Sequence, residues 1–451
     1  MPINIKKIFS RLVLKGAVLR MEKGLWKSWN GNIHHEYSAL YKPSTESEIA
    51  TLVRESASIR VVGAGCSSAD IAAGTETLLS LENYKNIRAF HDDTFTVTVE
   101  CGILLKELLV AVSAKGWSFA CRPDIDAITL GGALATGTHG TGKNGKMLAD
   151  SIVACRMVTA DGSIIAMTSA DPRMDAVRLS IGLLGIMTEV TLQCENKFIL
   201  AVTEKPVSDD DWFPRYTESV RFYDFYRLLW LPHTGFAYEI SGERMDAKKH
   251  FRVQRGPWHH KYRRDFTRIF YRIALFYPPL TKIANRILKT LFFSSVIRKT
   301  GALYDVSVTK SRGSTLELAE WTIPLERFGA LFVDLKKELD KKDNKAFIHI
   351  PMDIRFIRAD ATWLSYAYEA DTVTMGCVLR NASAADDYKA FEVVEKIFLR
   401  HGGKPHWAKR FAAKADTLSG CYPRWDDFIT LRRGMDPSGK FLNTYLKEIF
   451  K

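Results

Sequence analysis

Several features are missing from this chain of 451 residues, and each absence excludes something. The seven cysteines (Cys66, Cys101, Cys121, Cys155, Cys194, Cys377, Cys421) are odd in number and form no C-x-x-C pair. That excludes a disulfide framework and a zinc site, and points to a reducing compartment. No window of about 18 residues is both apolar and uncharged, so no spanning helix is expected. No N-terminal stretch has the continuous apolar run and small residues of a secretion signal. The loop Gly63-Ala64-Gly65-Cys66-Ser67-Ser68 has serine where a third glycine would complete G-x-G-x-x-G, and no Gly-Lys-Ser/Thr follows. It is therefore neither a dinucleotide fingerprint nor a Walker loop.

Net charge is nearly absent outside one segment. Between Arg244 and Thr300, fifteen Lys/Arg face only Asp246 and Asp265, which equals the whole +13 of the chain. The remaining body is neutral, so the excess reports what that insert does. The composition of the whole chain, 46% hydrophobic and 25% charged, is that of a folded protein. The length calls for two or three domains.

What is present centres on Asp124–Gly142, DIDAITLGGALATGTHGTG. Glycines among small residues and threonines cannot build a core. They let backbone N–H groups approach a flat anionic ligand, because no Cβ blocks the way. Thr129, Thr136, Thr138 and Thr141 add hydroxyl donors. Upstream, the β-branched run Ile59–Val62 turns directly into the Gly63–Ser68 loop, a diphosphate-sized anion cradle. Two nests in one domain imply a long ligand with a diphosphate in its middle and a ring at one end.

The local patterns predict an α+β fold. A helix starts at Pro43–Glu48 with Ser44 as its cap. Thr94–Glu100, Ser151–Thr159, Ser163–Met167 and Ile186–Leu192 read as strands, with a turn at Asp161-Gly162. Leu104–Lys115 reads as a helix. Farther on, Val202–Pro206, Arg221–Leu231, Phe236–Ser241, Thr315–Pro324, Phe347–Arg358 and Val373–Leu379 are strand candidates. Pro324–Leu339 and Asp386–Arg400 are helix candidates. A mostly antiparallel sheet flanked by helices is expected to cover the first domain.

Two basic amphipathic segments stand apart. Residues 3–20 place Ile5, Ile8, Phe9, Leu12 and Val13 at helical spacing among Lys6, Lys7, Arg11 and Lys15. That helix is either a membrane-surface anchor or a helix packed on the body. The insert, 244–300, carries two apolar stripes, Phe266, Ile269, Phe270, Ile273 and Leu280, Ile283, Ile287, Leu288, Leu291, broken at Pro278-Pro279. Such density of Lys/Arg also suits nucleic acid. Ordinary solvated helices are the bland alternative; the amphipathic pattern favours a membrane surface over them, with no nucleic acid expected. Localisation is expected to be cytoplasmic, peripheral on a membrane.

Several motifs together resemble a known family. RVVGAGCSS, TVTVECGILLKELLVAVSAKGW, DIDAITLGGALATGTHGTG, SIVACRMVTADG and LSIGLLGIMTEVTL are similar to the FAD domain of the vanillyl-alcohol-oxidase (PCMH-type) flavoproteins. HIPMDIRF, GGKPHWAKRF and DPSGKFLNTYLKEIF resemble the sugar-1,4-lactone oxidases of the gulonolactone and arabinonolactone type. The resemblance runs in order from about Trp26 to the end and is weakest over 205–300. It implies a PCMH-type FAD domain of two α/β subdomains at 26–197, after an N-terminal helix at 1–25. An antiparallel cap follows at 198–404, and 405–451 returns to the FAD domain. It also implies that FAD is held by Gly63, Ala64, Gly65, Cys66, Ser67, Ser68, Asp124, Thr129, Gly131, Gly132, Thr136, Gly137, Thr138, His139 and Ile186.

Oxidising an alcohol with a flavin requires the C–H to face the flavin, the hydroxyl proton to be shared or taken, and negative charge to be offset. Asp353 and Arg355, at i and i+2 on a strand, face the same side. The family has Glu-x-Arg here. Arg355 is expected to hold substrate oxygens, and Asp353, one carbon shorter than the family Glu, to bond sugar hydroxyls or accept the proton. Alone, the pair reads as a surface ion pair; HIPM and RF on its flanks favour the site. Lys409 is the cation expected near the flavin, and His406, at i and i+3 if helical, orients or donates to the substrate. Glu320 occupies a family acidic position in the substrate site. The family histidine that bonds the flavin covalently is Cys66 here, so noncovalent FAD is expected. The expected substrate is a sugar 1,4-lactone or a polyol. The rival of another class is a basic membrane- or nucleic-acid-binding protein on a flavin-fold scaffold.

Overall fold

The computed structural model describes residues 13–14, 17–18, 22–120, 123–245, 252–253, 258–262, 265–266, 269, 277, 279–302, 316–341, 346, 348, 350–380 and 389–450. The first half is built on two sheets. In the smaller sheet, Ile59–Val62 pairs parallel with Thr77–Ser80, which pairs parallel with His34–Tyr41. Glu22–Lys27 completes it antiparallel. The larger sheet is antiparallel, in the order Ile164–Thr168, Ile152–Val158, Ile186–Gln193, Thr96–Glu100, Ile87–His91. The helix Glu46–Glu55 packs Ile49, Ala50, Leu52 and Val53 into the core beneath. Its cap is Thr45, whose Oγ1 accepts from the Glu48 N–H at 3.2 Å, and not Ser44. Ser44 instead donates its own N–H to the Glu48 carboxylate at 2.7 Å, the reciprocal half of a capping box displaced by one residue.

A nine-stranded antiparallel sheet forms the second body, with Ile199–Ser208, Phe236–Met245, Phe225–Leu231, Met352–Ile357, Thr372–Arg380 and Leu316–Pro324 adjacent in that order. One face of this sheet carries Tyr226, Leu228, Trp230, Ala319, Trp321, Ile323, Ile354 and Phe356 into a core shared with the helices Leu325–Asp340 and Lys389–Arg400. Trp212, Trp230, Phe328 and Phe332 interlock there, fully buried or nearly so. Truncating such an aromatic costs about 3–5 kcal/mol. Alternation along each strand then forces Arg227, Glu320, Asp353 and Arg355 onto the opposite face. That face looks toward the first half, where Thr141 donates to the Tyr226 carbonyl and accepts from the Phe356 N–H.

The C-terminal stretch packs back on the first half. Trp407, Tyr422, Phe428, Leu446 and Phe450 share its core, and the Ile59 N–H bonds to the Lys440 carbonyl. Ile357, Leu364, Tyr366 and Ala367, inside the region read as cap, belong to that core as well.

Three local expectations are corrected. Within 3–20, Val13–Leu14 and Ala17–Val18 pair as two short antiparallel strands, not a helix; residues 3–12 lie outside the described residues. Arg221 belongs to the helix Tyr216–Phe222, and the strand starts at Phe225. The aromatic and leucine residues there satisfy either pattern, and the break at Tyr223-Asp224 decides. In the insert, the helix Leu280–Phe292 buries Thr281, Ala284, Asn285, Leu288 and Phe292, while Ile283 and Leu291 face solvent. Asn285 sets that rotation by donating to the carbonyls of Pro232 and Ile348. The first stripe, from Phe266 to Ile273, falls largely outside the described residues. No helix among the described residues is long and apolar enough to cross a membrane.

Candidate active site

A cavity of about 460 Å³ lies between the two bodies. Both glycine loops line it: Gly63, Ala64, Gly65, Cys66 and Ser67 from one, and Asp124, Thr129, Gly131, Gly132, Thr136, Thr138 and His139 from the other. Ile186, Glu320, Arg355, His406 and Lys409 complete the predicted set there. The two loops touch: a Cβ on Gly63 would fall 2.3 Å from Thr129 Oγ1. Gly65 has φ +65°, a conformation that glycine adopts at no cost. A backbone cradle with no room for side chains fits a diphosphate-bearing cofactor.

Three predicted residues lie off the lining. Ser68 is buried behind its loop, its N–H bonded to the Ala408 carbonyl. Gly137, at φ +69°, makes room for Tyr366, whose hydroxyl donates to the Gly137 carbonyl. Asp353 is turned sideways: its two oxygens accept from Arg227 Nε at 3.0 Å and Arg227 Nη2 at 2.6 Å.

Arg227 was not singled out by the sequence, although its signal was there: one guanidinium inside the apolar strand FYRLLWL. It pairs directly across the sheet with Arg355. Two like charges in register are tolerated because carboxylates surround them. Arg227 Nη1 also donates to Asp124 at 3.0 Å, from the other body. Arg355 Nη2 donates to Glu320 at 3.1 Å, with its Nε 3.3 Å from Asp353 and its Nη1 3.8 Å from Asp124. Burial works against the charge on both arginines, yet Asp124 and Asp353 on Arg227, and chiefly Glu320 on Arg355, hold the guanidiniums protonated beyond their ordinary range.

Glu320 reaches the cavity because Trp321, next along the strand, takes the core side. Burial opposes its ionisation, but Arg355 and His139 outweigh burial and hold the carboxyl well below the usual range. His406 sits in a turn, not a helix: its N–H bonds to the Glu320 carbonyl, and its own carbonyl accepts the Lys409 N–H at 2.9 Å. Pro405, paired with Trp321, anchors that turn to the sheet edge. Burial, helped by Lys409 and Arg355, outweighs the pull of Glu320 and pushes the His406 imidazole well below its ordinary value, which favours the neutral form. Cys66 Sγ lies 3.7 and 3.6 Å from the carbonyls of Ala64 and Ala127. Cys101, Cys155, Cys194, Cys377 and Cys421 are free thiols.

Known proteins are similar to this chain over nearly its whole length. The family model for D-arabinono-1,4-lactone oxidase matches residues 190–449. The chain belongs to the D-arabinono-1,4-lactone oxidase family. A model for an FAD-binding domain matches residues 37–168, the part that carries both glycine loops. The L-gulonolactone oxidase of Scyliorhinus torazame is 26% identical over 436 residues, covering 94% of this chain and 98% of that protein. An L-gulono-1,4-lactone dehydrogenase of Mycobacterium tuberculosis is 28% identical over 434 residues, covering 94% and 99%. Among solved structures, a cholesterol oxidase of B. sterolicum superposes with a TM-score of 0.77 at 14% identity, covering 98% of this chain and all of that one. At that identity the likeness shows the fold: an FAD-binding domain with a sheet cap. This lactone-oxidase-family chain therefore has the α+β architecture read from its sequence.

Proposed function

We propose that this protein oxidises the CH–OH group of a sugar 1,4-lactone with FAD, and that oxygen or a membrane electron carrier then takes the electrons. The observation that carries this reading is the meeting of two backbone nests with Glu320, Arg355, His406 and Lys409 around one cavity. When bound, FAD supplies the two-electron acceptor. Gly63–Ser67, Thr129, Gly131, Gly132, Thr136, Thr138 and Ile186 would hold it, without a covalent bond to Cys66. Arg355 grips substrate oxygens. His406, neutral, donates to the substrate. Lys409 keeps positive charge at the cavity wall. Asp353, whose oxygens are taken up by Arg227, aims Arg355 rather than touching substrate. Acid precipitation of the purified protein is expected to leave all flavin in the supernatant; yellow colour in the pellet would refute noncovalent binding.

The substrate class is tested by anaerobic mixing with aldonolactones and open-chain polyols, followed by air. Bleaching by lactones supports the reading, and bleaching by polyols alone makes the protein an alditol oxidase. Recovery of colour in air identifies oxygen as acceptor.

The insert supports a peripheral position on the cytoplasmic face of a membrane. Trp258, Ile269 and Tyr277 are more than half exposed there, and Ile283 and Leu291 are exposed as well, in a segment whose sequence is rich in arginine and lysine. Apolar side chains between cations suit an anionic lipid surface. Binding to phosphatidylserine vesicles is expected at low salt, weakened by salt and by Trp258→Ser/Ile283→Ser. Equal binding to neutral vesicles would contradict it.

A further inference from the structure

Two buried histidines share the site, their rings 5.6 Å apart, and their hydrogen bonds demand different protonation states. His139 has Nδ1 2.9 Å from the Gly140 carbonyl and Nε2 3.0 Å from Glu320 Oε1. A carbonyl only accepts, and so does an ionised carboxylate. A neutral imidazole has one N–H, so one of these contacts would set lone pair against lone pair in a site shut off from water. The missing proton is not on the carboxyl: burial opposes its ionisation, but the Arg355 guanidinium 3.1 Å away outweighs burial and holds Glu320 ionised. His406 is the opposite case: its Nδ1 accepts the Ala408 N–H at 3.1 Å, which leaves its single N–H on Nε2.

We infer that His139 is a positioning residue of this site, held as an imidazolium that donates from both nitrogens and fixes Glu320 against Arg355, beside a neutral His406. Asp124, Glu320 and Asp353 face Arg227 and Arg355, and Lys409 lines the same cavity, so the imidazolium stands on its two acceptors and not on a charge count. The groups around His139 come from every side: Glu320 and Arg355 from the cap sheet, His406 from the C-terminal turn, and Tyr366, whose ring centre is 5.9 Å away. Tyr366 stays neutral, since burial and then Glu320 raise its phenol well above the ordinary value. His139, Glu320 and His406 converge within 4.8 Å, as metal ligands would. An imidazolium has no lone pair to give, and the guanidinium already occupies the carboxylate, so a proton does there what a cation would.

The protonation assignment stands on geometry alone; only its effect on rate rests on the proposed oxidation. Side-chain ¹⁵N NMR of the histidine-labelled holoenzyme tests the first. At neutral pH a histidine signal with two N–H-bearing nitrogens, that of an imidazolium, should be present in wild type and vanish in His139→Gln. A neutral-imidazole signature at His139 at neutral pH overturns the inference. If His139→Gln does not fold, the signal is assigned in wild type by exclusion, replacing the other ten histidines one at a time. For the second, His139→Gln keeps a donor to Glu320 but no charge. It should lower the flavin reduction rate about tenfold while substrate affinity stays within about twofold, and His139→Ala should lose about a hundredfold. Thermal destabilisation with an unchanged reduction rate would make His139 merely structural and overturn the positioning role. A wild type that no lactone reduces, yet that shows the imidazolium, would sink the proposed substrate and leave the assignment intact.

Discussion

Arg355→Leu is expected to cut the rate of flavin reduction by substrate about 10²–10³-fold, the usual loss when one donor aimed at developing charge is removed. The guanidinium lies at the centre of the cluster. It touches Glu320 and Asp353 at 3.1 and 3.3 Å, and approaches Asp124 at 3.8 Å. Its loss leaves three carboxylates to Arg227 and His139. Breaking a buried pair from one side costs about 3–5 kcal/mol, so the variant should also unfold at lower temperature. Arg355→Lys separates the two effects. It restores a charge, and so part of the stability, but not the planar fork, so reduction should stay slow. A variant that melts early yet reduces flavin at the wild-type rate would remove Arg355 from the chemistry.

Lys409→Ala is expected to lower flavin reduction by one or more orders of magnitude. Lys409 lines the cavity at the end of the turn begun by His406, and its backbone N–H is tied to the His406 carbonyl at 2.9 Å. The same turn holds Ser67 and Ser68 of the upstream glycine loop through the Ala408 carbonyl. The C-terminal return therefore sets the lysine and the cradle in one rigid arrangement. Because the substitution leaves those backbone bonds in place, FAD content should be unchanged. Stopped-flow reduction at saturating substrate measures the effect, and an unchanged rate would exclude Lys409 from catalysis.

Much of this architecture was legible because its signals are local. Glycines that exclude Cβ mark the nests, and period-two alternation in HIPMDIRF placed Asp353 and Arg355 on one face. Other features depend on partners distant in sequence. Arg227 looked like one polar residue in an apolar strand until the register with Arg355 and the approach of Asp124 gave it a role. Asp353 looked like a substrate ligand because its sequence neighbourhood says nothing of Arg227 across the sheet. The rotation of the Leu280–Phe292 helix was missed for a like reason: Asn285 finds the carbonyls of Pro232 and Ile348, which no helical pattern contains. His139 lay inside the predicted motif, but its proton is read only from the two acceptors that bracket it.

The central claim is that the two touching glycine loops grip FAD beneath the charged face of the cap. Spectrophotometric titration of the flavin-stripped protein with FAD tests it most directly. One FAD is expected to bind per chain, with the structured visible spectrum of a protein-bound flavin, and the complex should bleach when an aldonolactone is added without air. A protein that stays colourless after desalting from excess FAD would contradict the account.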